Sequence, residues 1–492
     1  MTEEGRAHRL ILRGGASAGL GLALRLVARL VFLVIAAQLF GAALFGAFSL
    51  AVAVVELAVA VGGLGMKRYL FKLLEEHDKQ APGHVLLDAV LLVTIVSLAL
   101  GALIAFAAVA TPDGMLAEQT AFALLWAAPL VAGQALLDLF LAATRWKHRM
   151  RFEVVARSLI EPYVGAAVAV AAYLAGFELA GLLLGFAAGT LVALAYAAAG
   201  TRLCFGSLGL RGYRPRPAAL VATIRATALP TATDAVAAFF HRADLYLVGV
   251  LLGETAAGIY AMARQLRTPI RQARQAFDSL LTPIVATTLS ADGPASTSAA
   301  IASATRMILA MQLAGVLALL AVGEPLLDWF GAEFAPAYLA LLLLAAAETI
   351  QGAFSVSDLL LLYLRARLAL AVTIAMIAVH LLTAVPLIVA FGMDGAAFSV
   401  FVAIATGALL RRFLLRSRFG LAPPLLHSAG PLLAALVAAA VAVLAHRYIA
   451  VDAPLYFHLI ALAAVLVVYA AAIALWQRTT GETLRLTGFR AA

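Results

Sequence analysis

Stretches of apolar residues long enough to cross a bilayer recur along this chain, and no other feature restricts its fold as strongly. The hydrocarbon core of a membrane is about 30 Å thick and an α-helix rises about 1.5 Å per residue, so about 20 apolar residues span it. Such runs lie at 16–38, 43–64, 85–110, 119–142, 155–175, 179–201, 230–252, 256–288, 299–322, 335–362, 368–391, 395–415, 429–448 and 455–476. Of the 492 residues, 64% are hydrophobic and 12% are charged, whereas a soluble domain carries about 25% charged residues. No soluble core absorbs that much apolar surface, so the solvent is lipid. A β-barrel would show short alternating segments instead. The expected fold class is an all-α polytopic membrane protein with about fourteen transmembrane helices.

The start, MTEEGRAHRLILRGG, is polar and basic and leads into a run long enough to span, so no cleavable signal peptide is expected. One cysteine, Cys204, excludes an internal disulfide and a cysteine metal cluster. No Gly-rich phosphate loop, zinc-ligand spacing or nucleophile elbow is found. The expectation is a non-enzyme with no catalytic residue, metal or cofactor. The formal charge of +9 would suit nucleic acid, but the basic residues lie in short loops between spans. Membrane topology explains them, and no nucleic-acid partner is expected.

Loops on one side hold 25 lysines and arginines, and loops on the other hold one, Arg447. The positive-inside rule then puts both termini in the cytoplasm, and an even helix count agrees. Nine arginines remain inside or at the edge of spans: Arg25, Arg29, Arg157, Arg242, Arg264, Arg267, Arg271, Arg274 and Arg306.

A weak repeat relates two segments. Residues 39–51 read LFGAALFGAFSLA and residues 251–263 read LLGETAAGIYAMA. At an offset of 212, Leu39, Gly41, Gly46 and Ala51 meet Leu251, Gly253, Gly258 and Ala263, and Phe48 meets Tyr260. One copy ends the first helix and the other ends the seventh, so both have the same orientation. This predicts two pseudo-symmetric six-helix bundles around a central cavity, related by an axis along the membrane normal, plus two C-terminal helices. The expected divisions are 1–205 for the N-terminal bundle, 206–229 for a cytoplasmic linker and amphipathic segment, 230–420 for the C-terminal bundle, and 421–492 for two extra helices and a tail.

The stretch RQLRTPIRQAR, 264–274, carries four arginines and no acid. At 100° per residue Arg264, Arg267, Arg271 and Arg274 fall within about 80° of one another, and Gln275 and Asp278 extend that face. An arginine facing lipid at mid-bilayer costs about 2.5–3.5 kcal/mol. The stripe should therefore face a water-filled cavity and bind an anion; the guanidinium fork suits phosphate. The plainer alternative is that the helix enters the cytoplasm early and its arginines anchor it there. Against this, the apolar stretch SLLTPIVATTL, 279–289, still has to be buried. Pro269 and Pro283 are candidate kinks.

Arg25 and Arg29 share a face of the first helix, and His241 and Arg242 occupy nearly the repeat-equivalent place on the seventh. The competing readings are snorkelling or pairing with an acid. Arg157 and Arg306 read as interfacial anchors. The intramembrane acids are Glu56, Asp138, Glu161, Asp234 and Glu348. Each could couple transport to protons or sodium, with Asp234 preferred and Glu56 and Asp138 next, or could pair with an arginine. Asp244 and Glu254 read as solvated.

These segments together resemble a family. AQLFGAALFGAFSLAVAVVELAVAVGGLGMKRYLF resembles the helix 1–2 signature of polysaccharide exporters, and RADLYLVGVLLGETAAGIYAMARQL followed by LLTPIVA resembles their helix 7–8 signature. LLDWFGAEFAPAYLALLLLAAAETIQG and AFGMDGAAFSVFVAIATGALLRRF resemble later helices. The family is the polysaccharide-transporter branch, including O-antigen flippases, of the multidrug/oligosaccharidyl-lipid/polysaccharide exporter superfamily. The resemblance implies two bundles alternating between inward- and outward-open states in the bacterial inner membrane. It implies a polyprenyl-pyrophosphate-linked oligosaccharide as cargo, moved outward for lipopolysaccharide or exopolysaccharide assembly. Polysaccharide polymerase and glycosyltransferase machinery would be partners. Arg25, Arg29, Arg242, Arg264, Arg267, Arg271 and Arg274 would line the cationic cavity, and the last two helices would support the lipid tail. The alternatives are a membrane-embedded polymerase or ligase, disfavoured by short external loops, and a cation-coupled multidrug exporter, disfavoured by the arginines.

Overall fold

The computed structural model describes residues 29–77, 82–111, 117–206, 213–215, 217–272, 274, 293–421, 429–449 and 453–480. Arg25, Gln275, Asp278 and the 279–289 stretch lie outside the described residues. The protein is all-α, and among the described residues there is no strand. Among the described residues every predicted span contains helix. By length and composition eight described helices are apolar enough to cross a membrane, or up to ten if each bent pair is one span. That number is below the sequence expectation because several predicted spans are continuous helical runs broken only at a glycine or a bend.

The chain forms two compact units, Met1–Gly258 and Ile259–Ala492. The first begins with α1 (29–40), which ends in a π-turn at Ala36–Phe40, and α2 (Gly41–Gly62). Gly41 joins them at φ 73°, ψ 175°. An extended backbone with positive φ is open only to glycine without strain. Then come α3 (Met66–His77) and α4 (Pro82–Ala110), followed by α5 (Glu118–Ala127) and α6 (Leu130–Trp146), which are bent by 45° across Pro129. Next are α7 (Arg151–Leu174), α8 (Leu179–Phe205), and α9 (Pro217–Phe240) with α10 (Ala243–Leu252), again bent by 45°. Gly253, at φ 89° and ψ 179°, leads into α11 (Glu254–Leu266). It repeats the conformation of Gly41 at the offset of 212 read from the sequence.

The segment between α2 and α4 reads as a loop from composition but forms α3. Met66, Leu70 and Leu74 recur every four residues and are fully buried against Leu86, Ala89 and Val93 of α4 and Leu139 of α6. Lys67 and Arg68 lie on the exposed face. An amphipathic helix of this kind lies in the membrane interface. The phenol of Tyr213, just before α9, donates to Asp88 of α4. Burial, and then that hydrogen bond, push its pKa above the ordinary value.

Two acids that read as solvated are not. Glu254 accepts hydrogen bonds from the backbone N–H (2.7 Å) and hydroxyl (2.5 Å) of Thr120. It thus caps the start of α5, whose own N-cap, Ala117, has no side chain able to do so. Asp244, in the first turn of α10, is only 2% exposed.

The second unit holds α12 (Gly293–Phe330), α13 (Tyr338–Ala353), α14 (Ser355–Phe419), α15 (Ala429–Tyr448) and α16 (Leu455–Thr480). The 65-residue α14 is three pieces in one run, since Arg365 (φ −154°, ψ 87°) and Gly392 (φ 59°, ψ −138°) have non-helical backbones. Helices α15 and α16 pack on α12 through Leu317, Ala321, Ala438, Ala442 and Val465. The Tyr469 hydroxyl donates to Ala310 O at 2.9 Å. Arg306, read from the sequence as interfacial, is buried within the protein, with its guanidinium 5.4 Å from the centre of the Trp476 ring, a cation–π contact.

Candidate functional site

Within the first unit a cavity of about 590 Å³ opens among α2, α3, α6, α7 and α9. The three acids proposed for ion coupling, Glu56, Asp138 and Asp234, all line it. So do Arg157 and Glu161. Helix α7 holds these two on a π-helical stretch, Ala156–Val164, that contains Pro162. Proline supplies no N–H to the helical ladder, and π-bulges recur at functional sites.

Arg157 is the hub of this cavity. One of its amino groups donates to Glu161 Oε2 (2.8 Å) and to Gln134 Oε1 (3.0 Å), and the other pairs with Asp138. Gln134 Nε2 donates to Glu161 Oε1 and to Thr190 Oγ1, both at 2.8 Å. Lys67 Nζ adds a bond to Asp138 Oδ2 at 3.3 Å. Beyond the interfacial position read from the sequence, Arg157 is thus paired with two carboxylates. Its carboxylate at i+4 was legible in the sequence, but Asp138 and Gln134 come from another helix.

The two other candidate acids of the cavity are also paired. Arg242 pairs with Glu56, and Arg68 Nη2 lies 3.5 Å from Asp234 Oδ1. The bend between α9 and α10 falls at His241–Arg242, where Arg242 meets Glu56 of α2. Arg29 of α1 is partly buried.

Within the second unit the arginine stretch continues past α11. A break at Arg267 precedes a further helical turn containing Pro269. Arg264 and Arg267 are 9% and 6% exposed, and Arg271 and Arg274 are partly buried. Arg267 Nη1 lies 3.5 Å from Glu348 Oε1 of α13, a side chain only 2% exposed. Arg271 feels Glu348 and all three other arginines. Glu348 is thus the carboxylate that Arg267 meets and that lies in reach of Arg271. Gln312 of α12, which the sequence reading missed, is fully buried and donates to Ile270 O (3.3 Å) and Glu348 O (3.2 Å). It ties the arginine turn to α13. Arg411, counted among the loop residues, is buried on α14 with its Nε 2.9 Å from Asp358.

Residues 11–288 match the family described as "Polysaccharide biosynthesis protein". The chain belongs to the polysaccharide biosynthesis protein family. As a member it shares its fold with flippases and exporters of the MOP superfamily. The lipid II flippase MurJ in its inward closed conformation superposes with a TM-score of 0.78 at 13% identity, covering 94% of this chain and 99% of MurJ. An inward-facing multidrug resistance MATE transporter of the MOP superfamily gives 0.62 at 14% identity, covering 80% and 94%. A mutant of the Vibrio cholerae MATE transporter VcmN gives 0.52 at 15% identity, covering 82% and 98%. No curated protein matches this family member by sequence.

Proposed function

We propose that the chain flips a polyprenyl-pyrophosphate-linked oligosaccharide across the bacterial cytoplasmic membrane by alternating access, supplying lipopolysaccharide or exopolysaccharide assembly. The observation that carries this reading is the arginine turn of 264–274, four cations and no acid within eleven residues, all four buried or partly buried. A surplus of positive charge inside a membrane span needs an anion, and a pyrophosphate offers oxygens to several guanidinium forks at once. Family membership and the MurJ-like fold support a transport role rather than catalysis. In this reading Arg25, Arg29 and Arg242 extend the cationic surface, and Glu56, Asp138 and Asp234 couple transport to an ion. Both termini face the cytoplasm, with 1–205 and 230–420 as the repeated halves. Polymerase and glycosyltransferase machinery acts beside it.

The test uses Arg271→Gln with Arg274→Gln, because Arg267 is committed to Glu348 and its loss would confound folding. In a host lacking the native gene, this double variant should reach the membrane at wild-type level. It should fail to restore surface polysaccharide, and lipid-linked sugar should accumulate on the inner leaflet. Full restoration would remove the arginines from the mechanism. Lengthening of the glycan by purified protein would show a polymerase instead.

A further inference from the structure

The short connection between α6 and α7 and the end of α8 enclose a second, smaller cavity of about 220 Å³, lined by Lys147, Arg149, Arg151, Phe152, Leu203 and Cys204. Three cations line it and no acid does. The nearby carboxylate, Glu153, is already engaged by Arg145 at 3.4 Å. Among the described residues Lys147, Arg149 and Arg151 make no ion pair; Lys147 and Arg151 lie against aromatic rings. Lys147 Nζ lies 4.2 Å from the Trp146 ring centre and 5.4 Å from that of Phe205, and these two rings stack at 5.8 Å. The Arg151 guanidinium lies 4.9 Å from the Phe152 ring centre. His148 adopts a left-handed backbone (φ 55°) in this connection, and its N–H closes the turn onto Arg145 O at 2.8 Å. The turn thus gathers three cations within five residues instead of letting them splay along a helix.

The surroundings are those of a membrane surface. Trp146 ends α6, Arg151 opens α7, and Phe205 ends α8, so the cavity lies where three helices leave the apolar layer. Leu203 and Met150 are 77% and 63% exposed beside it. Aromatic rings belong at that depth, as do exposed aliphatic side chains just below the headgroups.

We propose that this cavity binds a phosphate group, the three cations receiving its oxygens and the Trp146–Phe205 stack holding Lys147 beside it. The source that fits the exposed Leu203 and Met150 is an anionic glycerophospholipid, whose acyl chains would lie along α8 and whose phosphate would enter from the membrane side. Basic pockets between transmembrane helices at a leaflet surface bind such headgroups. The site is separate from the arginine turn of 264–274 and does not depend on what the protein transports.

Cys204 lines the cavity and is the only cysteine in the chain, so its rate of maleimide labelling reports occupancy in the unmodified protein. Full-length protein is compared in phosphatidylcholine nanodiscs, in nanodiscs also containing phosphatidylglycerol, and in phosphatidylcholine nanodiscs with inorganic phosphate in the buffer. Slower labelling with phosphatidylglycerol alone assigns the lipid, and slowing by inorganic phosphate as well assigns a phosphate site open to solvent. Equal rates in all three overturn the proposal. Arg149→Gln with Arg151→Gln, both exposed side chains, should weaken phosphatidylglycerol protection by about thirtyfold, from roughly a factor of five per basic residue at an anionic surface. Arg365→Gln with Arg367→Gln, a basic pair elsewhere on the surface, should leave it unchanged. Protection lost equally in both double variants would mean a diffuse charge effect and also overturn the site.

Discussion

Gly46 and Gly258 meet backbone to backbone. A Cβ on Gly46 would fall 1.9 Å from Glu254 O and 2.8 Å from Gly258 N, and a Cβ on Gly258 would fall 1.9 Å from Ala42 O and 2.9 Å from Gly46 N. The contact is reciprocal at the sequence offset of 212, since Ala42 and Glu254 are themselves repeat partners. Two copies of one helix start therefore cross about a local twofold axis, and the shared glycine is what permits the approach. Gly46→Ala and Gly258→Ala should each destabilise the protein by about 1–3 kcal/mol or more, because the obstacle is backbone and not a movable side chain. Thermal unfolding of detergent-solubilised variants tests this. Wild-type melting of either variant would show that the two helices part easily.

The other repeated pair, Gly41 and Gly253, isolates a different effect. Around Gly253 a Cβ would meet nothing within 4 Å, so only its backbone conformation resists substitution. Gly253→Ala should cost about 1–3 kcal/mol through strain alone. The measured loss should be insensitive to trimming neighbouring side chains. Thermal melts of Gly253→Ala alone and combined with Leu252→Ala test this: recovery in the double variant would mean that a side-chain clash, not backbone strain, causes the loss.

Arg157 holds two carboxylates, so removing it leaves both in a partly buried site. Arg157→Gln should destabilise by about 3–5 kcal/mol at full burial, and by less here because the three side chains are 20–24% exposed. Arg157→Gln with Glu161→Gln should be more stable than Arg157→Gln alone, since the second change removes a stranded charge. A double-mutant cycle on melting temperature reads the sign directly. Additive losses would mean that water, not Arg157, satisfies Glu161.

The sequence carried the helices almost completely, because a bilayer demands runs of one length and one polarity, and those are visible without contacts. It carried the repeat because Gly41 and Gly46 have backbone duties that only glycine performs. It carried less of the site. Only one of Arg157's partners was visible, since Glu161 follows it at i+4 whereas Asp138 and Gln134 reach it from α6. Glu254 looked solvated since its partner, Thr120, is far along the chain. Helix α3 was legible in the spacing of Met66, Leu70 and Leu74, but the flanking lysines and arginines made the segment read as a loop. Pairing between helices is a property of packing, and periodicity along a single helix does not reveal it.

Glu348 offers the sharpest check on the arginine turn. It is 2% exposed and its partner Arg267 is 7% exposed, so neither charge has water to fall back on. Glu348→Gln leaves Arg267 without its carboxylate, and removing one partner of a buried pair costs about 3–5 kcal/mol. Gln312→Leu breaks the neutral bonds to Ile270 O and Glu348 O, and should cost about 1–3 kcal/mol. The two variants should differ in their response to a multivalent anion. Added pyrophosphate, by neutralising the surplus charge, should raise the melting temperature of Glu348→Gln by more than that of the wild type, and should leave the Gln312→Leu deficit in place. Equal shifts in all three proteins would mean that the anion does not reach the arginines, and Glu348 would then be only a structural counter-ion.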